Sequence, residues 1–231
     1  MKIPKIIIQT WKQQDLPPGF QHSSSQVRAL HRGWTYLFFD DQQLVRFVQT
    51  QFPDLWDVFE NFPYNIQRID FFRLLAVYHY GGFYLDMDME LTQSLDTLRN
   101  RSCVFPFELA SGENIQGDQL GQYAFGASPR HPFVGAIIEN IRVQRFNTSG
   151  MTLDKFVLFT TGPVLVTQTL KDHPELADTV QVLRPDPVLY PNTSAWYRFG
   201  DYGRHKMAST WHKEVVGSRI SETEFICDDA D

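Results

Sequence analysis

No stretch of the chain constrains its fold as tightly as Asp70–Glu90, which reads DFFRLLAVYHYGGFYLDMDME. From Ile66 to Tyr80 apolar residues crowd every turn, and past Arg68, near the start, the only charged residues are Asp70 and Arg73. Such a segment reads as a buried helix, with Gly81-Gly82 as its left-handed stop. After the glycines the pattern switches to period two. Phe83, Leu85, Met87 and Met89 fall on one face of an expected strand, and Tyr84, Asp86, Asp88 and Glu90 on the other. At about 3.3 Å rise per residue, the Cβ atoms of Asp86 and Asp88 would lie roughly 6.5 Å apart, close enough for one hard cation and its water shell to engage both. An uncompensated pair of charges would not be kept there.

Each piece also has an ordinary reading. Asp70 and Arg73 stand at i, i+3 and could form a structural ion pair, and Asp86 and Asp88 could be the solvated face of an edge strand. Taken together, a buried helix with one polar stripe, a Gly-Gly break and a strand closing on paired acids bring all four groups to one strand end. Open α/β sheets bind ligands there. Asp70, Arg73, Asp86 and Asp88 are therefore the candidate catalytic residues, with Asp86 and Asp88 as candidate metal ligands.

The pattern Asp70, Arg73, Gly81-Gly82, Tyr84, Asp86, Asp88 resembles the signature of the DXD-containing sugar-transfer enzymes related to the yeast initiating α-1,6-mannosyltransferase. It is similar, more distantly, to the glucosyltransferase domains of large clostridial toxins. The resemblance implies a GT-A fold, a nucleotide-sugar donor, Mn²⁺ or Mg²⁺, and transfer with retention of anomeric configuration. It implies UDP as the first choice of nucleotide and GDP as the second. By position it also implies that Asp70, Arg73 and Tyr84 hold the donor, that Asp86 touches ribose and sugar, and that Asp88 binds the metal. Relatives place an aromatic residue just after the first strand against the nucleotide base, which gives that role to Trp11, with Gln9 beside it.

Relatives of this kind end with a His followed by Gly-Ser-Trp, and the best correspondence here is Trp211-His212 followed by Gly217-Ser218-Arg219. His212 and Ser218 are thus implied as metal ligands, and Ser218 and Arg219 as donor contacts. The spacing is about one residue longer and Arg replaces Trp, so His205 and Glu214 stand as alternatives to His212. A guanidinium meets a diphosphate well by bidentate bonding. The similarity extends to the proline-containing segment before His131 and to Thr161-Gly162-Pro163, which borders the cleft in the family.

The remainder is organised as alternating β and α segments. Lys5–Gln9 is expected as the first strand, a helix from about Ser24 to Arg32 stops at Gly33, and Trp34–Phe39 is a second strand. Asp40 with Gln43 forms a capping box for a helix to about Gln51, and a short helical segment lies between Pro53 and Pro63. This alternation predicts an α/β fold with a Rossmann-like, mostly parallel central sheet flanked by helices, in one domain spanning 1–231. The Gly-x-Gly-x-x-Gly fingerprint is absent, which disfavours a nicotinamide or flavin dinucleotide. Further on, Ser102–Leu109 reads as a strand, His131–Arg145 as a helix, Pro163 opens a helix to about Lys171, and RPDPVLYP is a strand-and-proline segment. Glu108, Glu113, Asn114 and Asp118 are candidate acceptor contacts.

Charge and cysteine usage bound the partners. A net charge of −6 and a pI near 5.6 oppose a nucleic-acid partner. Cys103 and Cys227 sit in no metal or redox spacing and are expected as reduced thiols. The Asn147 and Asn192 sequons arise often by chance. Neither a signal peptide nor a transmembrane segment is expected, which points to a cytoplasmic protein or one peripheral to a membrane, while the resemblance implies the Golgi lumen for an excised catalytic domain. The partners expected are a nucleotide-sugar donor and a glycan, lipid-linked or small hydroxyl acceptor. Two rival readings are a non-catalytic nucleotide-sugar or glycan binding module and, less favoured, a metal-dependent phosphohydrolase. The latter family wants Thr or Val where Glu90 stands.

Overall fold

A computed structural model describes residues 1–109, 118–144, 151–190 and 197–206. The first half alternates strand and helix: β1 (Ile6–Thr10), α1 (Pro18–Leu30), β2 (Thr35–Phe39), α2 (Asp41–Gln51), α3 (Trp56–Glu60), α4 (Asn65–Tyr80) and β3 (Gly82–Leu85). Then come β4 (Met89–Leu91), β5 (Cys103–Leu109), β6 (Asp118–Leu120), β7 (Ala124–Ala127), α5 (Pro132–Val143), α6 (Leu153–Thr160), α7 (Pro163–Asp172), β8 (Gln181–Leu183) and β9 (Gly203–His205).

The central sheet places β1 between β2 and β3, parallel to both. β7 lies antiparallel between β3 and β5, and β8 runs parallel to β5. β6 pairs antiparallel with the outer half of β5. Thus β1, β2, β3, β5 and β8 share one direction while β6 and β7 oppose it, and the sheet is mostly parallel, as expected. β4 and β9 form a separate antiparallel ribbon. α2, α4, α5 and α7 cover one face and α1 with β4 covers the other, and the strands are correspondingly apolar on both sides. Ile8, Tyr84 and Phe125 join Phe71, Phe72 and Leu75 of α4 in one core cluster. Ile7, Phe83, Leu85 and Val104 join Leu183 and Phe199 in the other. Neighbours such as Ile7 and Ile8 fall in different clusters because successive strand side chains point to opposite faces.

Local chemistry explains most boundaries. The Asp40–Gln43 capping box is present in both directions, and His131 caps α5 by accepting from the Phe133 N–H. Arg68 closes the end of α3, donating to the Phe59 and Glu60 carbonyls. α1 begins at Pro18, six residues before the expected Ser24, because proline suits the first helical turn. The described part of RPDPVLYP, residues 184–190, carries no strand: β8 ends at Leu183, and the Asp186 carboxylate turns the chain by accepting from the Val188 N–H.

The larger departure is at the acids. The continuous strand expected from Phe83 to Glu90 breaks after Leu85. The Asp86 N–H donates to the Tyr123 carbonyl at 2.8 Å, and the Met89 N–H returns to the Asp86 carbonyl at 3.1 Å, which closes a turn over Asp86–Met89. β4 then leaves the sheet to pair with β9. Glu90 consequently faces out and binds Arg204 and Lys206 rather than sharing the face of Asp86 and Asp88.

Candidate active site

The site is assembled from the buried polar residues of α4, the turn after β3, the chain entering β7, and β9. On α4, Gln67, Asp70 and Arg73 follow an i, i+3 row and are all buried. Two of them tie α4 to the junction of α6 and α7: Gln67 donates to Thr160 at 2.7 Å, and Asp70 accepts from the Thr161 hydroxyl at 2.9 Å. Thr161, itself fully buried, is thereby joined to the acid cluster. The other Asp70 oxygen meets Arg73 at 2.8 Å.

Arg73 is the hub. Its guanidinium donates to the Gln122 carbonyl at 3.1 Å, lies 5.0 Å above the Tyr84 ring and stands 3.8 Å from Asp86. Tyr84 in turn donates to Asp86 at 2.8 Å. His205 of β9 is brought opposite the turn by the β4–β9 pairing, with Nε2 at 2.8 Å from Asp88 and 3.6 Å from Asp86. Its ring stacks flat on Tyr123 at 4.8 Å.

The electrostatics follow from burial and an excess of acid. Burial pushes the Asp70 carboxyl up to about 6, against the pull of Arg73 and the Thr161 hydroxyl. Asp86 is raised for the same reason, offset by Arg73 and His205. Burial works to depress Arg73, but Tyr84 and the surrounding carboxylates outweigh it and hold the guanidinium firmly charged. His205 is likewise raised, since Asp88, Asp86 and Glu108 overcome its burial. Nearby, burial raises Glu108 to about 7. Asp70, Asp86 and Asp88 face one guanidinium and one imidazole, so the cluster carries spare negative charge. Ligand atoms of Asp86, Asp88 and His205 lie within 4.8 Å of one another. Two carboxylates and an imidazole are a donor set that suits a divalent cation such as Mn²⁺.

Comparison with known proteins agrees with this geometry. Residues 17–105, which include the Asp86–Asp88 turn, match the family described as the glycosyltransferase sugar-binding region containing DXD motif. Over these residues the chain is similar to the DXD-containing glycosyltransferases. Inositol phosphoceramide mannosyltransferase 1 of Schizosaccharomyces pombe is 31% identical over 71% of this chain and 50% of that protein. Mannosyl phosphorylinositol ceramide synthase SUR1 of Saccharomyces cerevisiae is 28% identical over 91% of this chain and 52% of its own length. The chain spans about half the length of these curated relatives. The solved PaToxG glycosyltransferase shares the fold, with a TM-score of 0.54 and 15% identity over 77% of this chain and 72% of that one.

The structure brings Asp70, Arg73, Tyr84, Asp86 and Asp88 together. It adds His205, one of the alternatives to His212. His212, Glu214, Ser218 and Arg219 lie outside the described residues, as do Glu113, Asn114, both sequons and Cys227. Gln9 is fully buried and its carboxamide is spent internally, donating to the Leu85 and Asp86 carbonyls at 3.3 Å while accepting from Tyr36 at 2.9 Å. It holds the acid turn in place, with its carboxamide engaged inside the protein. Trp11 is half-buried at the end of β1, tilted against Phe20 at 4.5 Å. Gln122 is the residue that sequence reasoning missed. It is buried, and neither polar atom of its amide has a partner; the Arg73 Nε beside it is also unpartnered. No spacing marks it, because it lies where the chain spends Gly121–Phe125 against Phe105 and Pro106 of β5, and such bulges leave no simple periodicity.

Proposed function

We propose that this chain is a metal-dependent, retaining glycosyltransferase that moves a hexose from a nucleoside diphosphate donor to a hydroxyl of a glycan or lipid-linked acceptor. The observation that carries the reading is the meeting of the acids of the turn with buried polar atoms that lack partners. Arg73 Nε and both amide atoms of Gln122 are costly to leave unpaired, and sugar hydroxyls are ligands that satisfy donors and acceptors alike. The names of the relatives favour mannose as the sugar, hence GDP-mannose ahead of the UDP-hexose that the sequence resemblance put first. They also favour an acceptor of the inositol phospholipid class.

In this reading Asp86, Asp88 and His205 would hold Mn²⁺ or Mg²⁺, which supplies charge neutralisation for the leaving diphosphate. Trp11, at the β1 end of the same sheet edge, stacks on the base. Arg73 carries a fixed positive charge that cannot be lost, and orients Asp70 and Asp86 through the contacts described above. Both Asp70 oxygens are engaged, one by Arg73 and one by Thr161, and both Asp86 oxygens face partners. Neither carboxylate is placed as a free nucleophile, which favours front-face displacement over a covalent glycosyl intermediate. Asp70 instead favours positive charge developing on the sugar ring.

The test incubates the protein with GDP-mannose and UDP-hexoses, with and without Mn²⁺ and a hydroxyl acceptor, and follows products. Glycosylated acceptor formed only with metal supports the proposal. Binding without turnover would favour the binding-module reading, and free phosphate the phosphohydrolase.

A further inference from the structure

One cation near the site has no counterpart in the chemistry above. Arg198 is 7% exposed, yet its Nε and Nη2 have no hydrogen-bond partner, and none of the ion pairs among the described residues involves it. Its guanidinium lies 3.6 Å over the Tyr190 ring, which stabilises the cation but satisfies no N–H. A guanidinium does not escape burial by losing its proton, so a buried one without an anion is expensive. The fold nonetheless fixes it firmly. The Arg198 carbonyl accepts from the Tyr123 hydroxyl at 3.0 Å, the residue forms an isolated antiparallel bridge with Arg204 of β9, and the adjoining Phe199 is fully buried in the core.

Its location says which half of the site it serves. The C-terminal ends of β1, β3, β5 and β8 share one edge of the sheet, in that spatial order. Trp11 follows β1 and the Asp86–Asp88 turn follows β3. The hairpin that carries Arg198 packs at the end of β8, where Gly200 lies against Leu183 and Arg184. Tyr123, whose ring stacks on His205 and whose hydroxyl holds Arg198, stands between the two halves. Arg198 is therefore on the opposite side of the acids from Trp11. A nucleotide laid against β1 leaves Arg198 to whatever enters from the β5–β8 side.

We propose that Arg198 is the anion-binding residue of the acceptor subsite and takes a phosphate group carried by the acceptor. A planar fork with two unused N–H donors in a buried setting matches a phosphodiester or phosphomonoester, and its charge is balanced only when that group is present. This inference rests on the glycosyltransferase reading and adds to it the residue that recognises the phosphate of an acceptor of the class named there.

The experiment compares glycerophosphoinositol, a soluble phosphodiester, with free myo-inositol as acceptors, using GDP-mannose and Mn²⁺, in the parent and in Arg198→Gln. The parent is expected to prefer glycerophosphoinositol. Arg198→Gln is expected to lose about tenfold to a hundredfold in kcat/KM for it, mostly through KM, since hydrogen bonds to charged groups are of that strength. Its rate with free inositol and its hydrolysis of donor without acceptor should stay within about twofold. Its melting temperature should equal or exceed the parent's, because an unbalanced buried charge has been removed.

An equal loss with both acceptors, or a lowered melting temperature, would overturn the proposal in favour of a packing role on Tyr190. Loss of donor hydrolysis would assign Arg198 to the donor diphosphate instead. Inorganic phosphate that raises the free-inositol rate to the phosphodiester rate would show a site for the free ion and also sink it. A parent with no transfer to any acceptor would refute the glycosyltransferase reading. Calorimetry of glycerophosphoinositol with parent and Arg198→Gln then decides the anion site by itself, with weaker binding by the variant supporting it and equal binding ending it.

Discussion

At the scale of single residues, burial and charge decide behaviour. Asp88→Asn keeps the shape of the turn but removes the negative charge that a hard cation requires. Its Mn²⁺ affinity and Mn²⁺-dependent transfer should fall by at least about a hundredfold, with the fold intact by circular dichroism. His205→Ala should lose Mn²⁺ affinity in parallel, by about tenfold to a hundredfold, a range typical for groups that support a metal site. Unchanged metal titrations in His205→Ala would return the ligand role to His212. Glu108 yields a pH prediction, its carboxyl being held at about 7 by burial against roughly 4.3 in an unfolded chain. An acid raised on folding costs nothing below its unfolded value; the cost grows as pH climbs to the folded value and is constant above it. Glu108→Gln and the parent should thus melt nearly alike at pH 5 without metal, with the variant higher at pH 8.5, by about 2 to 4 °C for each kcal/mol recovered. A variant that melts lower at both pH values would mean that a partner holds the carboxylate ionised.

At the scale of elements, the junction of α4 and β3 sets the geometry of the acids. Gly81 and Gly82 have φ of 66° and 97°, and a Cβ at Gly82 would stand 2.5 Å from the Ile6 carbonyl oxygen of β1. Gly82→Ala therefore meets both an unfavourable backbone conformation and a backbone clash, and should destabilise by more than about 2 kcal/mol in urea unfolding. A smaller loss would show that β1 and β3 separate easily. This junction also marks how far the sequence could be read. The 3.6 periodicity of α4 and its Gly-Gly stop were legible because burial of a whole helix leaves an unmistakable apolar run. The same period-two pattern that placed Asp86 and Asp88 together hid the break after Leu85. Met87 and Met89 are both buried, so alternation continues through the turn although the strand does not. What ends the strand is the turn closed by the Met89 N–H on the Asp86 carbonyl and the pairing of β4 with β9, a partner remote in the chain that no local pattern reveals. Gln122 was invisible for that reason too, and His205 was visible only as one histidine among alternatives until β9 paired with β4.

At the scale of the whole molecule, three groups are set along the edge where β1, β3, β5 and β8 end. Trp11 stands at one end of it, the acid cluster in the middle and Arg198 at the other. Among the described residues no helix is long and apolar enough to cross a membrane. The spare negative charge of Asp70, Asp86 and Asp88 repels a diphosphate as strongly as it attracts a divalent cation. Metal and nucleotide should therefore bind with mutual enhancement, and linkage requires the factor to be the same whichever is added first. A coupling of about 1 to 3 kcal/mol corresponds to roughly 5- to 150-fold. Calorimetry of GDP and of UDP with and without Mn²⁺, and of Mn²⁺ with and without each nucleotide, measures that factor from both sides. Thermal melts should agree, because a ligand at a hundred times its Kd adds about 2.7 kcal/mol to the folded state. Trp11→Ala should weaken nucleotide binding by about 1 to 3 kcal/mol, the strength of base-aromatic stacking, while leaving the coupling factor unchanged, since Trp11 touches neither acid. Asp88→Asn should abolish the coupling while leaving nucleotide stacking in place. Nucleotide affinity indifferent to Mn²⁺ in the parent would separate the acid cluster from the donor site and end the metal-dependent reading of this edge.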